Sequence, residues 1–173
     1  QMCIRDRYRL EQADRYNRFF AFAPLTEEGD RIIVHAKMSI IDDRLLRIGS
    51  TNLNNRSMGL DTECDIAAEP TDEAGRAVIA AHRRRTIAHW LGVATEDYAA
   101  VEAVFGSVGQ AICSFETDRL KPLGSDPPTR IQRMFAEWQL GDPTSSTDAW
   151  RPWKRLNRSH RTRPASEGGQ APG

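Results

Sequence analysis

The sequence has no excess of charge of either sign: 24 basic side chains stand against 24 acidic ones in 173 residues. A general nucleic-acid coat would be expected to be basic, so nucleic acid is disfavoured as a partner, although a local basic groove is compatible with a neutral total. Cysteine is scarce. The three present, Cys3, Cys64 and Cys113, are odd in number and far apart, which suits neither a disulfide framework nor a zinc site. No apolar run approaches the roughly 18 residues that a membrane-spanning helix needs. Internal repeats are absent too. The length is that of one domain and allows a real core.

Against these absences one stretch stands out, residues 31–63. Ile32, Val34, Ala36, Met38 and Ile40 alternate with Ile33, His35, Lys37 and Ser39. Period two predicts a strand from Arg31, with one face wholly apolar and with His35 and Lys37 side by side on the other. Asp42-Asp43-Arg44 reads as a tight turn. Leu45 to Ser50 reads as the returning strand. Gly49-Ser50-Thr51-Asn52 reads as a polar corner, where Gly49 lets the backbone approach closely. A further strand follows over Thr62–Glu69, with Asp65 on the same face as Glu63. Asp65 is read as a support for the loop, outside the chemistry.

The pattern His-x-Lys-x4-Asp-x6-Gly-Ser-x-Asn, with Glu63 beyond it, resembles the second HKD motif of the phospholipase D superfamily. The wording GSTNLNNRSMGLDTECDIAAE is similar to that of its bacterial members. The resemblance covers about residues 14–123 and implies an α/β fold, a mixed sheet flanked by helices, forming one phospholipase D-like half-domain. It implies cleavage or transfer at a phosphodiester with no metal and no cofactor. A phospholipid or another phosphodiester is the implied substrate. Phospholipase D-type hydrolysis, cardiolipin synthase-type transfer and HKD nuclease activity remain open, as does an inactive half-site.

The residue types suit that chemistry. An imidazole can attack phosphorus, and a second imidazolium can protonate the leaving oxygen. Lys37 is a point charge for a phosphate oxygen. Ser50 and Asn52 can donate to the other oxygens as charge develops. In the family, the Glu at the spacing of Glu63 holds the ring, fixing its tautomer. Asp42 stands between two readings, a turn cap and direct chemistry. Arg56, in the loop Asn54–Gly59, is either a substrate-mouth residue or a solvated charge. Many two-motif relatives use the first motif's His as nucleophile, which implies that His35 is the acid/base.

Elsewhere the chain reads more plainly. Residues 8–23 carry aromatics amid charge, with a short strand expected over Arg18–Ala23. Thr71-Asp72-Glu73 starts a helix that Gly92 stops, with Ala74, Ala77, Val78, Ala81 and Arg85 or Ala88 inward. Arg83-Arg84-Arg85 reads as a solvated helix end. Helices are expected from Thr95 and over about Ser107–Arg119, covering the sheet. Lys121–Pro128 reads as a linker, followed by a short amphipathic helix with Ile131, Met134, Phe135 and Trp138. The end reads as a basic, disordered tail, with contact of Trp150 and Trp153 to an anionic lipid surface as the alternative.

Family sites need two motifs, and this chain shows one. The expected partner is therefore a missing N-terminal HKD half or a second copy of the chain. The expected divisions are a non-native leader over residues 1–7, a catalytic half over 8–123, and linker, helix and tail over 124–173.

Overall fold

The computed structural model describes residues 4–124 and 127–132. It divides into two compact units, Gln1–Asn52 with Glu63–Pro128, and Leu53–Thr62 with Thr129–Gly173. The short helix expected through Ile131, Met134, Phe135 and Trp138 is described only at its start, where residues 130–132 are helical; its remainder, and the basic tail, lie outside the described residues.

The first unit opens with α1 (Ile4–Ala13) and β1 (Phe22–Pro24), followed by a hairpin of β2 (Lys37–Ile41) and β3 (Leu45–Gly49). The hairpin closes through the Arg44 N–H, which donates to the Ile41 carbonyl at 2.9 Å. Asp42 and Asp43 both take the left-handed conformation there, with φ of 52° and 53°. That geometry suits the right-handed twist of paired strands, and Asp tolerates it better than most residues. β4 (Asp65–Ala68) adds antiparallel to β3, giving the order β2-β3-β4.

Three helices follow: α3 (Glu73–Leu91), α4 (Thr95–Phe105) and α5 (Val108–Cys113). The Asp72 side chain accepts the Gly75 N–H at the start of α3, and Gly92, at φ 75°, ends it. β5 (Leu120–Pro122) returns to pair antiparallel with β1. The second unit's described part holds α2 (Asn55–Gly59), capped by the Asn54 side chain, and the helical residues 130–132.

The α/β class is as the resemblance implies. Every strand pairing among the described residues is antiparallel, and the strands fall into two small sheets. Several boundaries differ from expectation. The strand predicted from Arg31 begins only at Lys37, because residues 32–36 have no ladder partner. The third helix stops at Cys113 rather than near Arg119. Thr117 donates its hydroxyl to the Leu91 carbonyl, and the chain then feeds β5. Part of the expected linker is thus a strand, and α1 has no counterpart in the sequence pattern.

The core lies among the helices. Ala88, Leu91, Tyr98 and Ala111 are buried together, with Val101, Ile112 and Phe115 packed around them. Tyr98 is fully buried and stacks on Phe115 with ring centroids 6.2 Å apart. The expectation that the helices cover the sheet is corrected: on the apolar face of β2-β3-β4, Met38, Ile48 and Ile66 are exposed. The inward stripe of α3 is also different. Val78 is 69% exposed, whereas Ile79, Ala88 and Leu91 are buried. The inner side of this helix also carries charge, because Arg83 and Arg84 bind the buried carboxylate of Glu102. Arg83-Arg84 is therefore an internal anchor and not a solvated end.

Candidate active site

Strand register gathers most of the motif at one end of a sheet. Lys37 pairs with Gly49, and Gly49 pairs with Asp65. These three form one row across β2, β3 and β4. His35 lies two residues before Lys37, and Ser50 to Asn52 lie just after Gly49. Glu63 lies just before β4. The order of the strands thus joins pieces separated by up to 28 positions in the chain, from His35 to Glu63.

His35 is exposed and Lys37 half-buried. Lys37 Nζ lies 2.9 Å from His35 Nε2 and donates to the His35 carbonyl at 2.7 Å. When an ammonium donates to Nε2, the ring's own proton sits on Nδ1. The pairing thus selects one tautomer and presents Nε2 beside the cation.

Ser50 joins the corner to the segment ahead of β4. Its hydroxyl donates to Glu63 Oε2 at 2.5 Å, and its Oγ accepts the Cys64 N–H at 3.0 Å. The Ser50 N–H donates to the Cys64 carbonyl at 3.0 Å. The Glu63 carboxylate therefore bonds to Ser50, and the expected bond to the His35 ring is not made. The reason is local: the backbone bond from Ser50 to the Cys64 carbonyl, and the Cys64 N–H on the Ser50 Oγ, keep the hydroxyl alongside residue 63. Asn52, half-buried, has no side-chain hydrogen bond among the described residues.

Asp65 holds the corner from the other side. Its carboxylate accepts from the Thr51 hydroxyl, from the Thr51 N–H at 3.3 Å and from Arg47 Nη2 at 2.8 Å. The Thr51 hydroxyl, and after it Arg47, hold the Asp65 carboxyl down to about 2. Gly49 makes this possible. A Cβ there would fall 1.6 Å from Asp65 Oδ1 and 2.7 Å from the Asp65 Cα.

Asp42 is not brought to this cluster. It is exposed, in the turn at the opposite end of β2, about 16 Å along the strand from Lys37 at about 3.3 Å per residue. Its neighbour Asp43 is engaged instead: Arg83 Nε and Nη2 each donate to it at 2.8 Å. Arg83 hydrogen bonds hold the Asp43 carboxyl below the ordinary range. Arg83 and Arg84 both also bind Glu102. Burial pushes the Glu102 carboxyl up, but the two guanidinium groups outweigh it and the net direction is down. Arg56 lies in α2 of the second unit, and its Nη2 pairs with Asp61 Oδ1 at 3.0 Å.

Sequence reasoning missed Arg47 and Thr51. The signal was present in the register: a three-residue turn sets Lys37 against Gly49, and the same alternation sets Arg47 on the face of Asp65.

Residues 7–84 match the family described as "Cardiolipin synthase, PLD-like domain". Phospholipase D B of Dictyostelium discoideum is 36% identical over 66 residues, which make up 35% of this chain and 5% of that protein. The chain thus spans about one-twentieth of that curated relative. No solved structure matches it.

Proposed function

Through residues 7–84 the chain belongs to the phospholipase D superfamily, and on that footing we propose that it supplies one half of a phosphodiester-cleaving site. The proposed substrate is a glycerophospholipid, and the reaction is hydrolysis or transfer of its phosphatidyl group. The observation that carries this reading is the pairing of His35 Nε2 with Lys37 Nζ at 2.9 Å, with Lys37 in strand register with Gly49, where the Gly49–Asn52 corner begins. A second imidazole comes from a preceding HKD half or from another copy of the chain. Residues 8–123 are the proposed catalytic half.

In the first step one imidazole nitrogen attacks phosphorus, the bond to the leaving oxygen breaks, and the partner imidazolium gives that oxygen its proton. Water or an acceptor alcohol then attacks the phosphohistidine. The phosphorus–nitrogen bond breaks, and the partner, now neutral, takes the incoming proton. His35 is proposed as that acid and base. Lys37 has three donors and can turn one from His35 to a phosphoryl oxygen. Ser50 has one, now given to Glu63. Turning it to phosphate frees the Glu63 carboxylate for the ring N–H of His35. Asn52 offers its amide to a remaining oxygen. Asp42 serves the turn in this proposal, and Arg56 is kept as a mouth residue to be tested by substitution.

The family description names cardiolipin synthase, which favours transfer to an alcohol as the second reading. The test incubates the chain with vesicles of phosphatidylcholine or phosphatidylglycerol and, separately, with DNA, and identifies products by mass spectrometry. Choline released from phosphatidylcholine supports hydrolysis, and cardiolipin formed from phosphatidylglycerol supports transfer. Cleavage of DNA alone would overturn the lipid assignment. Sedimentation of the active species decides between a dimer and a requirement for a separate half.

A further inference from the structure

Thr51 carries no chemistry in the mechanism above, yet it is the most deeply buried residue of the corner, at 6% exposure. A buried hydroxyl needs a partner, and both polar groups of Thr51 that face β4 find the same one. The hydroxyl and the N–H donate to the two oxygens of Asp65. Arg47 neutralises that carboxylate at 2.8 Å, so the latch adds little net negative charge beside a site for phosphate. Gly49 leaves the space through which the carboxylate reaches the corner.

We propose that Asp65, braced by Arg47 and latched to Thr51, is a positioning residue that holds in place the main chain from which Ser50 and Asn52 reach a phosphate oxygen. The proposal rests on the reading of this corner as a phosphate site. Fixing the main chain that carries the donors before the anion arrives lowers the cost of ordering it on binding. Thr51 is covalently flanked by Ser50 and Asn52. Clamping its backbone N–H therefore steadies the main chain from which both neighbours project.

The experiment uses the full 173-residue chain, isotopically labelled, with inorganic phosphate as probe. The Asn52 side-chain amide resonances report binding, and hydrogen exchange at the Thr51 N–H reports the latch. Asp65→Ala and Thr51→Val should each weaken phosphate binding about tenfold, the worth of about one lost hydrogen bond. Thr51→Ser should restore binding, and the double variant should bind no worse than either single one. Thr51 exchange should speed in Asp65→Ala. Circular dichroism confirms that each variant is folded.

Two results overturn the proposal in distinguishable ways. If the wild-type chain binds phosphate and folded Asp65→Ala and Thr51→Val bind it equally well, positioning is wrong and the phosphate site stands. If wild-type resonances do not respond to phosphate while Thr51 exchange still depends on Asp65, the latch is only structural. The phosphate-site reading then falls with the positioning role.

Discussion

Arg83 grips Asp43 with two parallel hydrogen bonds of 2.8 Å, and so ties the turn of the motif hairpin to the middle of α3. The same guanidinium reaches Glu102 on α4, which Arg84 and the Tyr98 hydroxyl also touch. Met38, Ile48 and Ile66 leave the apolar face of the sheet exposed, so this polar junction carries much of the hairpin's attachment. Replacing Arg83 by Leu leaves Asp43 unpaired and Glu102 with half its compensation. The expected loss is about 2 kcal/mol, below the range for a fully buried pair because Asp43 keeps some solvent. Urea unfolding of the variant measures it, and an unchanged midpoint would remove Arg83 from the account.

This junction also sets an acid limit. Asp43 and Glu102 are both held below their ordinary carboxylate range. A depressed carboxyl contributes stability that is present above its unfolded value and lost as pH falls through the folded one. Stability should therefore be flat near neutrality and fall below about pH 4. The fall should be shallower in Arg83→Leu, since the wild-type excess is what protonation removes. Urea midpoints from pH 7 to 2 give the comparison.

Gly49→Ala is expected to be among the most damaging single-methyl changes in the sheet. The added Cβ meets the Asp65 carboxylate at 1.6 Å and the Asp65 Cα at 2.7 Å. The first clash could be relieved by rotating the side chain, but the second involves the backbone of a paired strand. Overpacking of this kind costs about 1–3 kcal/mol. Because the clash with the Asp65 backbone persists when the carboxylate is removed, Asp65→Ala should not rescue Gly49→Ala. A restored urea midpoint in the double variant would show that the carboxylate alone was the obstacle.

The motif is legible in the sequence because its spacing and the strand period act together. The two-residue spacing brings His35 and Lys37 together, and their nitrogens meet, although His35 lies ahead of the strand that begins at Lys37. The Asp42-Asp43 turn and the start and stop of α3 are readable from local chemistry, since a capping Asp and a left-handed Gly act within a few residues. The choice between Asp42 and Asp43 is not readable. Both occupy the same turn, and only the arrival of Arg83, 40 residues on, gives Asp43 its partner. The stripe of α3 misleads for a related reason. An apolar pattern sends charges outward, whereas Arg83 and Arg84 turn inward to a buried Glu102. Likewise spacing matches Glu63 to the imidazole, while the hydrogen bonds between residues 50 and 64 give it to Ser50.

His35→Ala should lower turnover of the assembled site by about a thousandfold, within the range for a lost proton-transfer group, and Lys37→Ala by about a hundred- to a thousandfold, the range for a lost donor to a developing oxyanion. Both should leave folding intact, because the imidazole is exposed and neither side chain belongs to the buried core. Head-group release from phosphatidylcholine gives the rate, and circular dichroism checks the fold. Asn cannot exchange a proton as imidazole does, so His35→Asn retaining a near-normal rate would exclude His35 as acid or base.

Asp65 supplies a local titration that separates the contributions to the corner. Its carboxyl sits at about 2, held there first by the Thr51 hydroxyl and then by Arg47. Carbon-13 NMR of the labelled side chain should therefore show protonation near pH 2, well under the ordinary value of about 4. Thr51→Val removes the larger cause and should move the inflection up further than Arg47→Ala does. The sign for the corner follows from linkage: the latch is fully engaged above about pH 4 and released as pH falls through about 2. An inflection near the ordinary value in the wild-type protein would mean that neither Thr51 nor Arg47 engages the carboxylate in solution, and the corner would then have to be held by the hydrogen bonds between Ser50 and Cys64.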